Sequence, residues 1–190
     1  MAVTESTKIK ALREAQNLVQ AYGYNGFSFQ HIADRLGIKK PSLYDHFKSK
    51  EELGLELVQR YHDLFIAWTE TIDVFEPADR IGAYFELFFK YSSESTCKLC
   101  PLTAMIGESN SLPKNIRKKM AMLYDYQVEW MKKNIEQGQK QKQFRKSKMD
   151  SEDLAKTVLA IGLGSQLIGR VSDDPKQIHK LKAQALAILT

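Results

Sequence analysis

A chain of 190 residues with 43% hydrophobic and 10% aromatic side chains has enough apolar material for a core, in one domain or a small domain joined to a larger one, and is not wholly disordered. No apolar run approaches the ~20 residues of a membrane span, the opening M-A-V-T-E-S-T-K lacks the apolar heart of a secretory signal, and two cysteines are too few for a disulfide scaffold, so a soluble, cytoplasmic protein is expected. The net charge of +5 is unevenly spread: residues 1–50 hold eight basic and four acidic side chains, 51–113 hold four and eleven, and 114–148 hold eleven and three, so two basic stretches suit a polyanion.

Helical periodicity runs through almost the whole chain. Ile9, Leu12, Ala15, Leu18, Val19 and Tyr22 recur at spacings of three and four, and Gly23 is a stop signal. Ser28 is a good N-cap for a short second helix with Ile32, Ala33 and Leu36 on its inner face, which Gly37 ends. A third element, about 40–46, opens with Pro41 in a first turn, where a missing amide hydrogen is tolerated. Ser49 with Glu52 forms an S-x-x-E capping box ahead of a long fourth helix reaching about Thr71. Pro77 starts an apolar fifth helix through Phe85, Phe88 and Phe89, and a short sixth lies between Pro101 and Pro113. A long helix from Lys114 to about Lys140 follows, then a Gln- and Lys-rich loop or fraying end at 138–148. Asp150 or Ser151 caps an eighth helix, and Asp174-Pro175 starts the last one. The fold class is all-α with about nine helices: three short ones at the start, a longer set after, and a boundary inside the helix that follows Ser49.

The stretch G-I-K-K-P-S-L-Y-D-H-F-K-S-K-E-E-L packs Lys39, Lys40, Ser42, Tyr44, His46 and Lys48 onto and around the third element. Two short helices joined by a tight turn at Gly37-Ile38 suggest a helix-turn-helix, whose second helix enters the DNA major groove and presents donors to phosphates and base edges. Leu43 and Phe47, four apart, suit the inner face.

The run F-S-F-Q-H-I-A-D-R-L-G-I-K-K-P-S-L-Y-D-H-F-K-S-K-E-E-L resembles the DNA-binding domain of the TetR family of bacterial transcriptional regulators, over about Ile9 to Leu57, a quarter of the chain. The I-A-x-x-x-G-[IV] turn, the L-Y-x-[HY]-F segment and the S-K-E-x-L helix start occur in order at family spacing. The resemblance implies a helix-turn-helix domain at 1–50 and a helical effector-binding and dimerisation domain at 51–190. It implies a homodimer on a palindromic operator, with reading helices about 34–36 Å apart. Ser28 and Gln30 would touch the DNA backbone. Lys39, Lys40 and Ser42 would lie nearest bases and phosphates, with Leu43 in the same DNA-binding set. Tyr44 and His46 would bond phosphates, and Lys50 would add charge and a backbone donor. The family usually has Ser or Thr where Lys39 stands; Lys cannot cap, so Lys39 is expected on phosphate.

Within that family's architecture, Trp68, Phe85, Phe88, Phe89, Met105, Tyr124 and Trp130 would line a pocket for a hydrophobic or aromatic effector, although aromatic stripes also serve as ordinary core. The glycines and small residues of the eighth helix suit close approach between helices, and the family's dimer interface uses its last two helices. Cys97 and Cys100 have C-x-x-C spacing, but a zinc site needs four ligands and no His is near in sequence, so no metal is expected. Cys100, at a helix start beside Lys98, is instead a candidate redox or electrophile switch together with Cys97, against the plainer reading of two half-buried cysteines. No nucleophile–base pair, Gly-rich phosphate loop or H-E-x-x-H occurs, so neither enzyme activity nor a cofactor is expected. The expected function is a ligand- or electrophile-released repressor. The alternatives are an activator with the same heads and, less favoured, a helical partner-binding protein using the basic 114–148 face.

Overall fold

The computed structural model describes residues 6–93 and 98–190. Its described residues form nine helices and no strand. These are α1 (Thr7–Tyr22), α2 (Phe29–Leu36), α3 (Pro41–Tyr44), α4 (Lys50–Thr71), α5 (Pro77–Ser92), α6 (Pro101–Ile106), α7 (Lys114–Lys140), α8 (Ser151–Val171) and α9 (Gln177–Leu189). The all-helical architecture expected from periodicity is therefore the observed one.

Local chemistry explains the helix ends. Ser6 accepts the amide hydrogen of Ile9, Ser28 that of His31, and Asp150 that of Asp153, each side-chain oxygen satisfying a donor that the first helical turn leaves orphaned. At α4 the Ser49 hydroxyl accepts from the Glu52 amide at 3.1 Å, while the Glu52 carboxylate accepts from the Lys48 amide at 2.7 Å. The reciprocal bond of the capping box thus lands one residue upstream of the cap. Pro77 and Pro101 stand in the first turns of α5 and α6.

The described chain clusters into two compact units. The first comprises Met1–Asp63 with Cys100–Met120, so α6 and the start of α7 join the N-terminal helices. Its core is built from Leu12, Leu18, Phe27, Ile32, Leu43, Phe47, Leu53, Leu57 and Ile116. The second comprises Leu64–Leu99 with Ala121–Thr190. Here α5, α8 and α9 pack on one another around Ile81, Tyr84, Phe85, Phe88, Val158 and Ile178.

α8 is a helix long and apolar enough, by length and composition, to cross a membrane. It is instead a core helix on one side, burying Leu154, Ala155, Val158 and Leu159. Its apolar content escapes notice in the sequence because Lys156, Thr157, Ser165 and Gln166 interrupt the run.

Candidate nucleic-acid interface

The turn between α2 and α3 is built by Gly37. Its φ of +64° is left-handed, a region an L side chain enters only at a cost, while a Cβ there would meet no atom within 4 Å. The conformation, not the space, requires glycine. The amide of Ile38 bonds to the Ala33 carbonyl at 3.1 Å and that of Gly37 to the Asp34 carbonyl at 3.3 Å, a Schellman closure that satisfies carbonyls at the end of α2. The chain then reverses into α3. Only four residues of that segment are α-helical, and Lys40 at its start makes no side-chain cap. So short a helix cannot stand alone. It is held by burial of Leu43 and Phe47, each 1% exposed.

That inward anchoring decides where the other side chains go. Lys39, Lys40 and Tyr44 are exposed, and Ser42 and His46 are half-buried. Tyr44 is half exposed yet rests its ring on Phe29, with centroids 5.0 Å apart, so its hydroxyl end is presented by a supported ring. Ser28 caps α2 and Gln30 hydrogen-bonds Asp34 along the same helix at 2.7 Å. Among the described residues no carboxylate pairs with Lys39, Lys40 or Lys48. An open side that carries unpaired cations, above a buried side that fixes it, is suited to phosphate.

Two residues expected in the DNA-binding set sit otherwise. Leu43 is core, because the helical period that exposes Tyr44 turns its neighbour inward. Lys50 is half-buried, and its ammonium donates to the Phe27 carbonyl while lying 4.7 and 4.5 Å from the ring centres of Tyr24 and Phe27. Burial pulls its pKa below the usual lysine value, against the opposing pull of Glu108. The Tyr24 hydroxyl in turn donates to the Lys50 carbonyl at 3.0 Å. Lys50 therefore ties the turn after α1 to the start of α4.

A second tie was not legible in the sequence. The Asn25 amide donates to the Glu108 carboxylate at 3.0 Å, and the Asn25 side chain donates to the Ser111 hydroxyl at 2.7 Å. These partners lie 83 and 86 residues apart, so no local pattern announces them. They fasten the segment after α6 to the turn that precedes α2.

The residues expected to line an effector pocket divide between the units. Met105 is 1% exposed in the first. In the second, Trp68 and Trp130 face each other at 5.9 Å, Phe65 meets both at 5.6 and 5.8 Å, and Tyr84 packs on Phe88 at 4.4 Å. Phe85 and Phe88 are buried, Tyr124 is half-buried, and Phe89 turns away to stack on His179 of α9 at 4.0 Å. Tyr84 also reaches the buried Gln127 at 3.3 Å. The rings thus form a packed aromatic cluster, while open clefts lie elsewhere, around the end of α7.

Cys97 lies outside the described residues. Cys100 is the N-cap of α6 as expected, its sulfur accepting from the Thr103 amide at 3.3 Å, but it is fully buried, which does not suit a thiol that must meet an electrophile from solvent. No metal-binding cluster of His, Cys, Asp or Glu occurs among the described residues. On α8, a Cβ at Gly162 would stand 3.0 Å from the rings of Tyr84 and Phe88, so that glycine serves packing within the chain. A Cβ at Gly164 would meet nothing, and Leu167, Ile168 and Val171 beyond it are exposed.

A short helix anchored through its buried side, with a cationic open side and a left-handed turn before it, defines a helix-turn-helix DNA-binding regulator. Comparison with known proteins gives the family. Residues 11–57 match the family of bacterial regulatory proteins of the tetR type, and residues 77–185 match the tetracyclin repressor-like C-terminal domain. The chain belongs to the TetR family of transcriptional regulators, a family of DNA-binding proteins rather than enzymes. It is 37% identical over 71 residues to the HTH-type transcriptional activator FasR of Mycolicibacterium smegmatis, a match covering 36% of this chain and only 32% of that protein's length. It is 25% identical over 163 residues to the HTH-type transcriptional regulator YdgC of Bacillus subtilis, covering 83% of this chain and 77% of that one. Its fold matches a TetR-family transcriptional regulator from Agrobacterium tumefaciens with a TM-score of 0.90 at 22% identity, over 96% of this chain and 97% of the other.

Proposed function

We propose that this regulator is a cytoplasmic one-component repressor that binds a palindromic operator as a homodimer and leaves it when a small apolar effector binds. The observation that carries the DNA contact is the exposed, unpaired set Lys39, Lys40 and Tyr44 on a segment whose other face is buried through Leu43 and Phe47. Ser28, Gln30, Ser42 and His46 flank that set, and Leu43 and Lys50 support it from within. The reading function belongs to 1–50, and effector binding and dimerisation to 51–190. The exposed apolar residues Leu167, Ile168 and Val171 of α8, with Ile188 of α9, support a dimer face that an isologous partner would cover. An effector acts by binding the released state more tightly than the DNA-bound state, which shifts the population between them.

Selection of bound fragments from random DNA supplies the operator, and titration at several salt concentrations then tests the assigned residues. Removing one cation from a phosphate lowers the slope of log affinity against log salt by about 0.9, so Lys39→Ala with Lys40→Ala lowers it by up to about 3.6 for the four cations of two heads. An unchanged slope refutes the assignment. Activation is the second reading, favoured by the similarity of 71 residues of this chain to a protein named as an activator. Deleting the gene decides: neighbouring transcription rises for a repressor and falls for an activator.

A further inference from the structure

The Gln- and Lys-rich segment after α7 is not a frayed end. Phe144 is buried against α7, and a Cβ at Gly138 would fall 2.2 Å from its ring, so the glycine leaves the room into which the ring folds. The amides of Gln143 and Phe144 both return to the Gly138 carbonyl, at 2.9 and 3.2 Å. The Arg145 amide donates to the Leu189 carbonyl at 2.9 Å, tying the segment to α9, and the Gln143 side chain donates to Glu76 at 2.6 Å, tying it to the start of α5. Lys142 occupies the left-handed region at φ +62°, a position that glycine or asparagine fills more readily. The segment is pinned at both sides and still carries a charged residue at its least favourable backbone position.

What this pinned segment builds is a cleft of about 770 Å³. Lys140, Lys142, Arg145 and Lys146, all exposed, line it together with Glu136 and Thr190. No ion pair engages any of these four cations among the described residues, whereas Lys132, Lys133, Lys156 and Lys182 of the same unit each have a carboxylate partner. Cations near a helix C-terminus favour its dipole, but that effect fades within the last turn. It accounts for Lys140 and not for Arg145 and Lys146, which lie beyond it. Four like charges held together without counterions repel one another, and the repulsion is relieved by an anion of several charges. Cleft volumes of about 300–1,000 Å³ suit small molecules, whereas duplex DNA needs an extended surface.

We propose that this cleft is a binding site for a small, multiply charged phosphate anion of the oligophosphate class, held by Lys142 and Arg145 with Lys140 and Lys146 at its edges. Arginine supplies the two-pronged donor geometry that phosphate oxygens accept, and lysine supplies point charge. The proposal stands apart from the DNA reading, since none of its residues belongs to the helix-turn-helix.

The test is calorimetric titration of the full chain with inorganic tripolyphosphate at fixed ionic strength. Saturable binding is expected, weakened at least about tenfold by Lys142→Gln with Arg145→Gln, because two charge-assisted hydrogen-bonding groups are removed. The pair Lys140→Gln with Lys146→Gln repeats the test should the first pair alter the melting temperature. Lys39→Ala with Lys40→Ala is expected to leave tripolyphosphate binding unchanged. Absence of binding overturns the proposal, as does equal binding by wild type and both cleft pairs, or loss of binding in the reading-head pair. Non-specific duplex affinity is expected to survive the cleft substitutions. A fall there without tripolyphosphate binding assigns the surface to a nucleic-acid backbone and overturns the small-anion reading.

Discussion

Gly54 offers a sharp test of how the reading unit is packed. It sits one turn into α4 and is buried. A Cβ there would stand 2.6 Å from Cδ1 of Ile116 and 2.8 Å from Cε2 of Tyr24, where ordinary contact begins at 3.4 Å. Neither neighbour yields readily. Ile116 is fully buried, and the Tyr24 hydroxyl is tied to the Lys50 carbonyl at 3.0 Å. In an open helix Gly→Ala stabilises by about 1 kcal/mol. Overpacking a filled core costs about 1–3 kcal/mol. Gly54→Ala is therefore expected to lower stability by up to about 2 kcal/mol, the difference between these effects. Ile116→Val removes the nearest atom and alone costs about 0.5–1.5 kcal/mol. Combined with Gly54→Ala it should cost less than the sum of the two single changes, a favourable coupling of about 1 kcal/mol, while the contact with Tyr24 remains. Urea unfolding of the four proteins, followed by far-ultraviolet circular dichroism, measures the cycle. A gain of about 1 kcal/mol in Gly54→Ala, the full propensity effect, would refute the packing argument, as would strict additivity.

Other substitutions separate direct binding from support. Leu43→Ala should cost about 2–5 kcal/mol of stability, whereas Leu43→Met, which conserves volume, should leave operator affinity unchanged in gel-shift titration; weaker affinity in a stably folded Leu43→Met would return the side chain to the DNA surface. Burial, then the charge of Glu51, push the Tyr24 phenol from 10.0 up to about 12. The protonated phenol is thus favoured in the folded state, so its contribution is full below about pH 10 and is lost as pH rises from about 10 to about 12. Urea midpoints across that window should fall less steeply for Tyr24→Phe, and parallel curves would contradict the shift. Glu108→Ala removes the acceptor of the Asn25 amide and should cost about 0.5–1.5 kcal/mol, with faster hydrogen exchange at Asn25. Unaltered exchange there would show that the tie is absent in solution.

Much of the fold was readable because its causes are local. The spacing of Ile9, Leu12, Ala15 and Val19, the Ser28 and Asp150 caps, Gly37 before the third helix and the prolines at 77 and 101 act within a turn or two of chain, where physical chemistry has few choices. The same locality made Lys39, Lys40 and Tyr44 legible as one outward set. The role of Lys50 was less so, since its position at a helix start suits phosphate equally well. Only the folded chain brings the Phe27 carbonyl and two rings to its ammonium.

The sequence by itself determined the helices, their ends and the polarity of the reading segment, since these follow from side chains near one another along the backbone. The tertiary structure alone decided which aromatic rings close on each other, that Cys100 is sealed, that Glu108 and Ser111 hold Asn25, and that Phe144 folds a lysine-rich segment into a cleft. Such interactions join residues far apart in the chain, and their geometry depends on how whole helices pack, which no window of sequence contains.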